Sequence, residues 1–175
     1  MLIKIKEITF YSLVFLFLKM VVEVPKEKIK IRKATKKDLK NISDIFRKET
    51  SKKPYLQKWT QKTAVKKINE FFERDDIYLI SVEEEIVGFI ILKISVGENG
   101  KSAFIDELWL KSNYQGKGIG ITLMNYIEDT YKDKGIKSIY LISDIRSNAF
   151  YFYKKLKYNP YNDFVLMAKK LNKST

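Results

Sequence analysis

Three glycines at alternate positions, in Tyr114-Gln115-Gly116-Lys117-Gly118-Ile119-Gly120, break the chain at one point. The apolar run Phe104 to Leu110 comes just before them, and an amphipathic segment starts at once behind them. Glycine opens backbone conformations closed to other residues and leaves its N–H groups uncovered. At the mouth of a helix, such N–H groups and the helix dipole form an anion site. The stretch therefore reads as strand, phosphate-cradling turn and helix. A phosphate-bearing ligand is the first functional inference.

Composition removes several chemistries. With no cysteine, the chain has no disulfide framework, thiolate nucleophile or zinc–thiolate site. With no histidine, it lacks the usual general base and the commonest metal ligand, so no metal site is expected. Acid–base work falls to Asp, Glu, Tyr, Lys or water. At 175 residues, 45% of them hydrophobic, the chain suits one domain with a proper core. The net charge of +13 favours anionic partners. Its lysines are scattered along the whole chain rather than gathered in one stripe, so no specific nucleic-acid role is expected.

Residues 1–28 read as an extension ahead of a single domain at 29–175. Ile8 to Leu18 is apolar, then Lys19 interrupts. Eleven helical residues reach only about 16 Å, short of a bilayer core of about 30 Å. A secretory signal would need a small-residue cleavage site, which is missing. Three readings stand: translation starts at Met20, the segment packs as an extra element, or it anchors at a membrane interface. The expected location is the cytoplasm, with membrane contact only under the third reading.

Ile29 to Lys33 alternates like a half-buried strand. Thr35, with Asp38 three residues on, looks like a helix start, and Leu39, Ile42 and Phe46 share a helical face. Ser51 to Lys58, which contains Pro54, is a loop. Ala64, Ile68, Phe71 and Phe72 mark a second helix. Ile77 to Val82 and Ile86 to Val96 read as strands around the acidic turn Glu83-Glu84-Glu85. Gly97 to Gly100 turns into a strand at Ala103 to Leu110. Leu123, Met124, Ile127 and Tyr131 form one helical face, closed by Gly135. Ile139 to Ile145 is a strand, Ala149 to Leu156 a short helix begun by Ser147 or Asn148, and Asp163 to Leu171 a closing strand. The expected fold is α/β: a mixed, mostly antiparallel twisted sheet of six or seven strands with helices on both faces.

The glycine turn fails two familiar patterns. A phosphate-binding P-loop needs Lys-Ser/Thr around its last glycine, whereas Ile121-Thr122 follow Gly120. The dinucleotide fingerprint needs glycines at first, third and sixth positions, which Gly116, Gly118 and Gly120 do not supply. On its own the turn reads equally well as a plain glycine-rich connector.

Gln115-Gly116-Lys117-Gly118-Ile119-Gly120 matches the Gln/Arg-x-x-Gly-x-Gly/Ala loop of the GNAT superfamily of acyl-CoA-dependent N-acyltransferases. Ala149-Phe150-Tyr151-Phe152-Tyr153-Lys154-Lys155-Leu156-Lys157-Tyr158 resembles its second signature, Ala-x-x-Phe-Tyr-x-Lys-x-Gly-Phe. The resemblance runs from about Ile29 to Leu171. It implies that acetyl-CoA is the cosubstrate, its pyrophosphate held by Gln115 and the N–H groups of Gly116, Lys117, Gly118, Ile119, Gly120 and Ile121. It also implies that the pantetheine arm pairs along Leu108, Trp109 and Leu110. Two positions depart from the pattern. Arg146 stands where an asparagine is common, with Asn148 shifted next to Ala149 as the CoA-contacting residue, and Lys157 replaces the second signature's glycine.

An amine nucleophile is mostly protonated at neutral pH, so a group must take its proton before it attacks a thioester. Asp106 and Glu107, on the strand leading into the turn, are the first candidates, with Asp144 behind them and a relaying water also workable. Strand alternation is expected to send Asp106 and Glu107 to opposite faces. The bland alternative is a surface pair matched by lysines. Tyr153 resembles the family's general acid; the competing reading is one more packed aromatic. The family's acceptor pocket falls at Tyr55, Trp59, Asp106, Glu107 and Trp109. Carboxylates in a basic protein suit a small cationic amine, a protein N-terminus or a lysine. A catalytically silent acyl-CoA-binding sensor or interaction module is the rival reading, and homodimerisation is left open.

Overall fold

The computed structural model describes residues 24–161, 163 and 165–170. The apolar segment Ile8 to Leu18 and the alternative start Met20 lie outside the described residues. The chain divides after Ile142 into two units.

The first unit is built on one sheet in the order β1 (Ile29–Lys33), β2 (Asp76–Val82), β3 (Glu85–Gly97), β4 (Gly100–Leu110) and β5 (Ile136–Leu141). The first four strands run antiparallel, as the two short turns at Glu83 and at Glu98-Asn99 require. β5 joins β4 in parallel, and the crossover a parallel pair needs is supplied by helix α3 (Ile119–Asp133).

Helices α1 (Leu39–Thr50) and α2 (Gln61–Phe71) cover one face. Their apolar stripes, Ile42, Ile45 and Phe46 with Ala64, Ile68 and Phe71, pack on Ile77 and Leu79 of β2 and Phe89 and Ile91 of β3. Each such buried side chain contributes about 1.5–3 kcal/mol. The alternate strand residues Tyr78, Ile80, Ile90 and Leu92 are equally buried on the opposite face. There Tyr78 meets the rings of Tyr126 and Tyr131 from α3, and the Tyr131 hydroxyl donates to Asp76.

The expected helix start at Thr35 is a capping box on a 3-10 turn, Lys36–Asp38, which runs into α1. Asp38 accepts from the Thr35 N–H and hydroxyl and, at 2.7 and 2.8 Å, from both terminal nitrogens of Arg32. These donors hold its carboxyl down at about 2.

In the second unit, α4 (Asn148–Lys155) is capped by Ser147, whose Oγ accepts from the Phe150 N–H at 3.1 Å. Its far end is a Schellman turn: Tyr158 N–H bonds Tyr153 O, Lys157 N–H bonds Lys154 O, and the Tyr153 and Tyr158 rings pack at 5.6 Å. Lys157, where the resembling pattern has glycine, takes the left-handed conformation with φ +67°.

The α/β class and the helices on both sheet faces hold. Five strands are found among the described residues rather than six or seven. β5 stops at Leu141 instead of reaching Ile145. The closing strand at Asp163 to Leu171 does not form over Val165–Lys170, where Val165, Leu166 and Met167 are 78–86% exposed; Leu171 lies outside the described residues. An apolar run becomes a strand only where a sheet edge takes its hydrogen bonds, and this run meets none among the described strands.

Two stability measurements follow. Lys157→Gly relieves the left-handed strain and raises the unfolding free energy by about 1 kcal/mol in urea denaturation. Asp38 has a depressed folded-state pKa, so its contribution is complete above about pH 4 and fades as pH falls toward 2. Asp38→Asn therefore loses about 1–2 kcal/mol at pH 7, after discounting for the half-exposed Arg32, and flattens stability across that acid window.

Candidate functional site

β4 ends in a 3-10 turn, Ser112–Tyr114, and the glycine stretch then delivers the chain into α3. Gly116 (φ +73°) and Gly118 (φ +77°) are both left-handed, and Gly118 is the N-cap of α3. A Cβ at either would meet nothing within 4 Å, so glycine is needed here for the backbone turn and the space outside is open. The first backbone bond of the helix is donated by Thr122 to Gly118. The N–H groups of Gly116, Lys117, Gly118, Ile119, Gly120 and Ile121 have no backbone acceptor among the described residues. They sit at the positive end of a 15-residue helix. Gln115 turns its side-chain amide back onto the Leu110 carbonyl at 2.9 Å, closing the loop upon itself.

The approach to this turn is pinned from α1. Glu49 is only 6% exposed and accepts from Lys52 Nζ at 2.7 and 2.8 Å, from Ser112 Oγ at 2.6 Å and from the Ser112 N–H at 3.3 Å. A buried carboxylate with this many donors fixes where β4 hands over to the loop. Beside it, a cavity of about 640 Å³ lies between α1, the β2–β3 turn and Lys111-Ser112-Asn113.

Strand alternation fails at Asp106. In β4, Ile105 pairs with Leu92 and Glu107 with Ile91, leaving Asp106 as the extra residue of a β-bulge. Two consequences follow. Pairing of β4 with β5 ends at Ile105–Leu141, so Leu108, Trp109 and Leu110 pair only with β3 among the described strands. And Glu107 takes the α1/α2 face with Ile91, while Asp106 has no partner across β3 and its charge bears on both Glu107 and Asp75. The bulge resets the period of two on which the expectation rested.

Glu107 is 16% exposed. Its Oε2 accepts from Trp109 Nε1 at 2.7 Å, and its Oε1 lies 3.4 Å from Lys67 Nζ. Burial pushes its carboxyl above the ordinary glutamate value, against the pull of Trp109 and Lys67 and with a smaller push from Asp106. Tyr55 and Trp59 join it as expected: Tyr55 stacks edge-on to Trp109 at 4.9 Å, and Phe46 links Trp59 (5.2 Å) to Trp109 (6.3 Å). Asp106 is exposed on the bulge.

Three expected residues belong to the second unit. Tyr153 is 8% exposed and packed between the Phe152 and Tyr158 rings. Asn148 is the exposed first residue of α4. Asp144 lies past the end of β5 and forms an exposed ion pair with Arg146 at 3.1 Å, which removes it from the expected strand position.

Sequence reasoning missed Lys67, Glu49 and Ser112. Only Lys67 left a trace: it lies three residues after Ala64 and four before Phe71, a charge on the apolar stripe of α2.

The model of the Acetyltransferase (GNAT) family matches residues 39–158. The chain belongs to the GNAT acetyltransferase family. Solved structures agree on the fold of this GNAT chain. A possible acetyltransferase from Clostridium difficile 630 superposes with TM-score 0.72 at 20% identity, over 82% of this chain and 99% of that one. A transcriptional regulator from Bacillus halodurans C-125 gives 0.65 at 22% identity, over 81% and 99%. An aminoglycoside acetyltransferase, meta-AAC0020, from an uncultured soil metagenomic sample gives 0.65 at 20%, over 83% and 98%. No curated protein matches. Among the described residues no helix is long and apolar enough to cross a membrane, and no group of three or more acidic side chains is placed to hold a metal ion.

Glu49→Ala leaves Lys52 and the Ser112 N–H without their acceptor. It is expected to cost about 2 kcal/mol of unfolding free energy, read by urea denaturation.

Proposed function

We propose that this GNAT domain moves an acetyl group from acetyl-CoA to a primary amine. The observation that carries the reading is the continuity of two open features. The outward edge of β4 beyond the bulge runs straight into a turn whose Gly116 and Gly118 border open space and whose N–H groups have no backbone acceptor among the described residues. A pantetheine amide chain suits the first, and a pyrophosphate suits the second.

On this reading the acceptor lies against Tyr55, Trp59 and Trp109, and Glu107 takes the proton from its ammonium, directly or through a water. Glu107 is preferred because it is withdrawn from water beside the aromatic wall and burial raises its carboxyl, which makes it a stronger base than an ordinary glutamate. The freed amine attacks the thioester carbonyl carbon, the C–S bond breaks, and the thiolate takes a proton from Tyr153. Support for Tyr153 is its place in the second signature; support for Asn148 is its place at the start of the same helix. The acceptor is either a small cationic amine or a protein N-terminus or lysine. A silent acyl-CoA-binding module is favoured by one observation: both Glu107 oxygens are already engaged, by Lys67 and Trp109.

Incubation with acetyl-CoA and a panel of polyamines, aminoglycosides and peptides, followed by free thiol and product mass, separates the two. Thiol release coupled to an acetylated amine supports the transferase; CoA binding without release across the panel establishes the silent module. Gly118→Asp places a carboxylate at the open turn and should weaken CoA binding by about 10- to 100-fold; unchanged affinity would refute the loop assignment. Tyr153→Phe should slow turnover by about 10- to 1000-fold at nearly constant CoA affinity. Since ionised Glu107 is the active form, kcat/KM should fall as pH drops through a value above that of an ordinary glutamate, and Glu107→Gln should remove that limb.

A further inference from the structure

Lys67 is an anomaly on α2. The helix buries Ala64, Ile68 and Phe71, and Lys67 lies on that same stripe with two-thirds of its side chain covered. Its ammonium sits 4.7 Å from the centre of the Phe71 ring and 5.9 Å from that of Phe46, with Glu107 Oε1 at 3.4 Å. A lysine is not withdrawn this far from water on an apolar helix face unless rings and a carboxylate receive it.

We propose that Lys67 is a positioning residue: docked on the Phe46 and Phe71 rings, its ammonium keeps Glu107 ionised where Trp109 holds it. The inference rests on the reading of Glu107 as the acceptor-side base. The two contacts on that carboxylate are unlike each other. The indole N–H is a neutral, short donor that fixes one oxygen at 2.7 Å. The ammonium supplies charge at a longer 3.4 Å. The indole therefore sets the direction of Glu107, and the lysine sets its charge state.

The charged surroundings are few. Lys67 pairs with Glu107 from α2, and the charge of Asp106, on the bulge of the same strand, acts on it as well. The charge of Asp106 also acts on Asp75, in the turn after α2, as do those of Arg74, Asp76 and, on β3, Lys93. Burial and Asp106 both favour the protonated carboxyl, so Lys67 is the one cation that opposes them at contact range among the described residues. Without it, Glu107 would hold its proton to higher pH. An incoming ammonium could then no longer hand its proton over.

The pair can be read without catalysis. The chain has two tryptophans, so a Trp59→Phe background leaves Trp109, hydrogen-bonded to Glu107, as the sole indole reporter. Its fluorescence should titrate with Glu107, and a further Glu107→Gln change should abolish that transition. Lys67→Met keeps the stem that packs on the aromatic rings and should move the midpoint to higher pH, whereas Lys67→Arg should keep it near the parent. In the chain with both tryptophans, Lys67→Met should lower kcat about tenfold on the acid limb and recover to within about twofold at high pH. A midpoint that does not move in Lys67→Met, or that moves equally in Lys67→Arg, overturns the inference. A midpoint that moves while the rate profile stays fixed supports the Lys67–Glu107 coupling and instead refutes Glu107 as the proton acceptor.

Discussion

Strand β4 carries one residue more than β3 can match, and the surplus falls at Asp106. A bulge bends its strand and sharpens the local twist. Here it also decides which strands stay together. Up to Ile105 the chain is an ordinary interior strand, paired on both sides; past it, the strand belongs to β3 alone among the described strands. The bulge equally decides which face the later residues take, since it turns Glu107 and Trp109, two positions apart and so on one side, toward α1 and α2. Without the extra residue, Glu107 would point to the α3 side, away from the aromatic wall.

Three carboxylates drawn away from water each have a cation and further hydrogen-bond donors of their own, whereas Asp75 keeps a buried Oδ1 without a hydrogen-bond partner among the described residues. Glu49 has Lys52 and Ser112, Glu107 has Lys67 and Trp109, and Asp38 has Arg32 and Thr35. Unpaired, any of them would destabilise the fold by several kcal/mol. Two of the three also brace moving chemistry. Glu49 fixes the entry to the glycine turn from α1, and Glu107 is fixed from α2. The helix pair on one face of the sheet thus locates both ends of the strand segment on which the proposed reaction depends.

The sequence made much of this legible. Glycines at alternate positions announced the turn, because glycine takes without strain the left-handed backbone found at Gly116 and Gly118. The sequence pattern located the four α-helices and five strands found among the described residues, and Tyr55 meets Trp109 directly while Trp59 reaches it through Phe46. The failures have separate causes. The bulge left no mark, since nothing in Ile105-Asp106-Glu107 distinguishes a surplus residue from a paired one, so the break in alternation between the two acids went unseen. The run at Val165 to Met167 looked like a strand by composition, but pairing depends on an edge that composition does not contain. Glu49 was one more helix glutamate until the fold brought Ser112 to it, 63 positions away in the chain.

Past Ile105, the side of β4 turned away from β3 carries main-chain groups that no described strand takes up, with the Leu110 carbonyl already met by the Gln115 side chain. Such a border is also what foreign strands seek, and proteins ordinarily blunt it with bulges, charge or covering loops. A cofactor laid along it would act as a missing strand, shielding the border as well as delivering a reactive group. On the proposed reading, saturation with the acyl donor would raise the melting temperature by mass action. A shortage of that donor would leave the border bare.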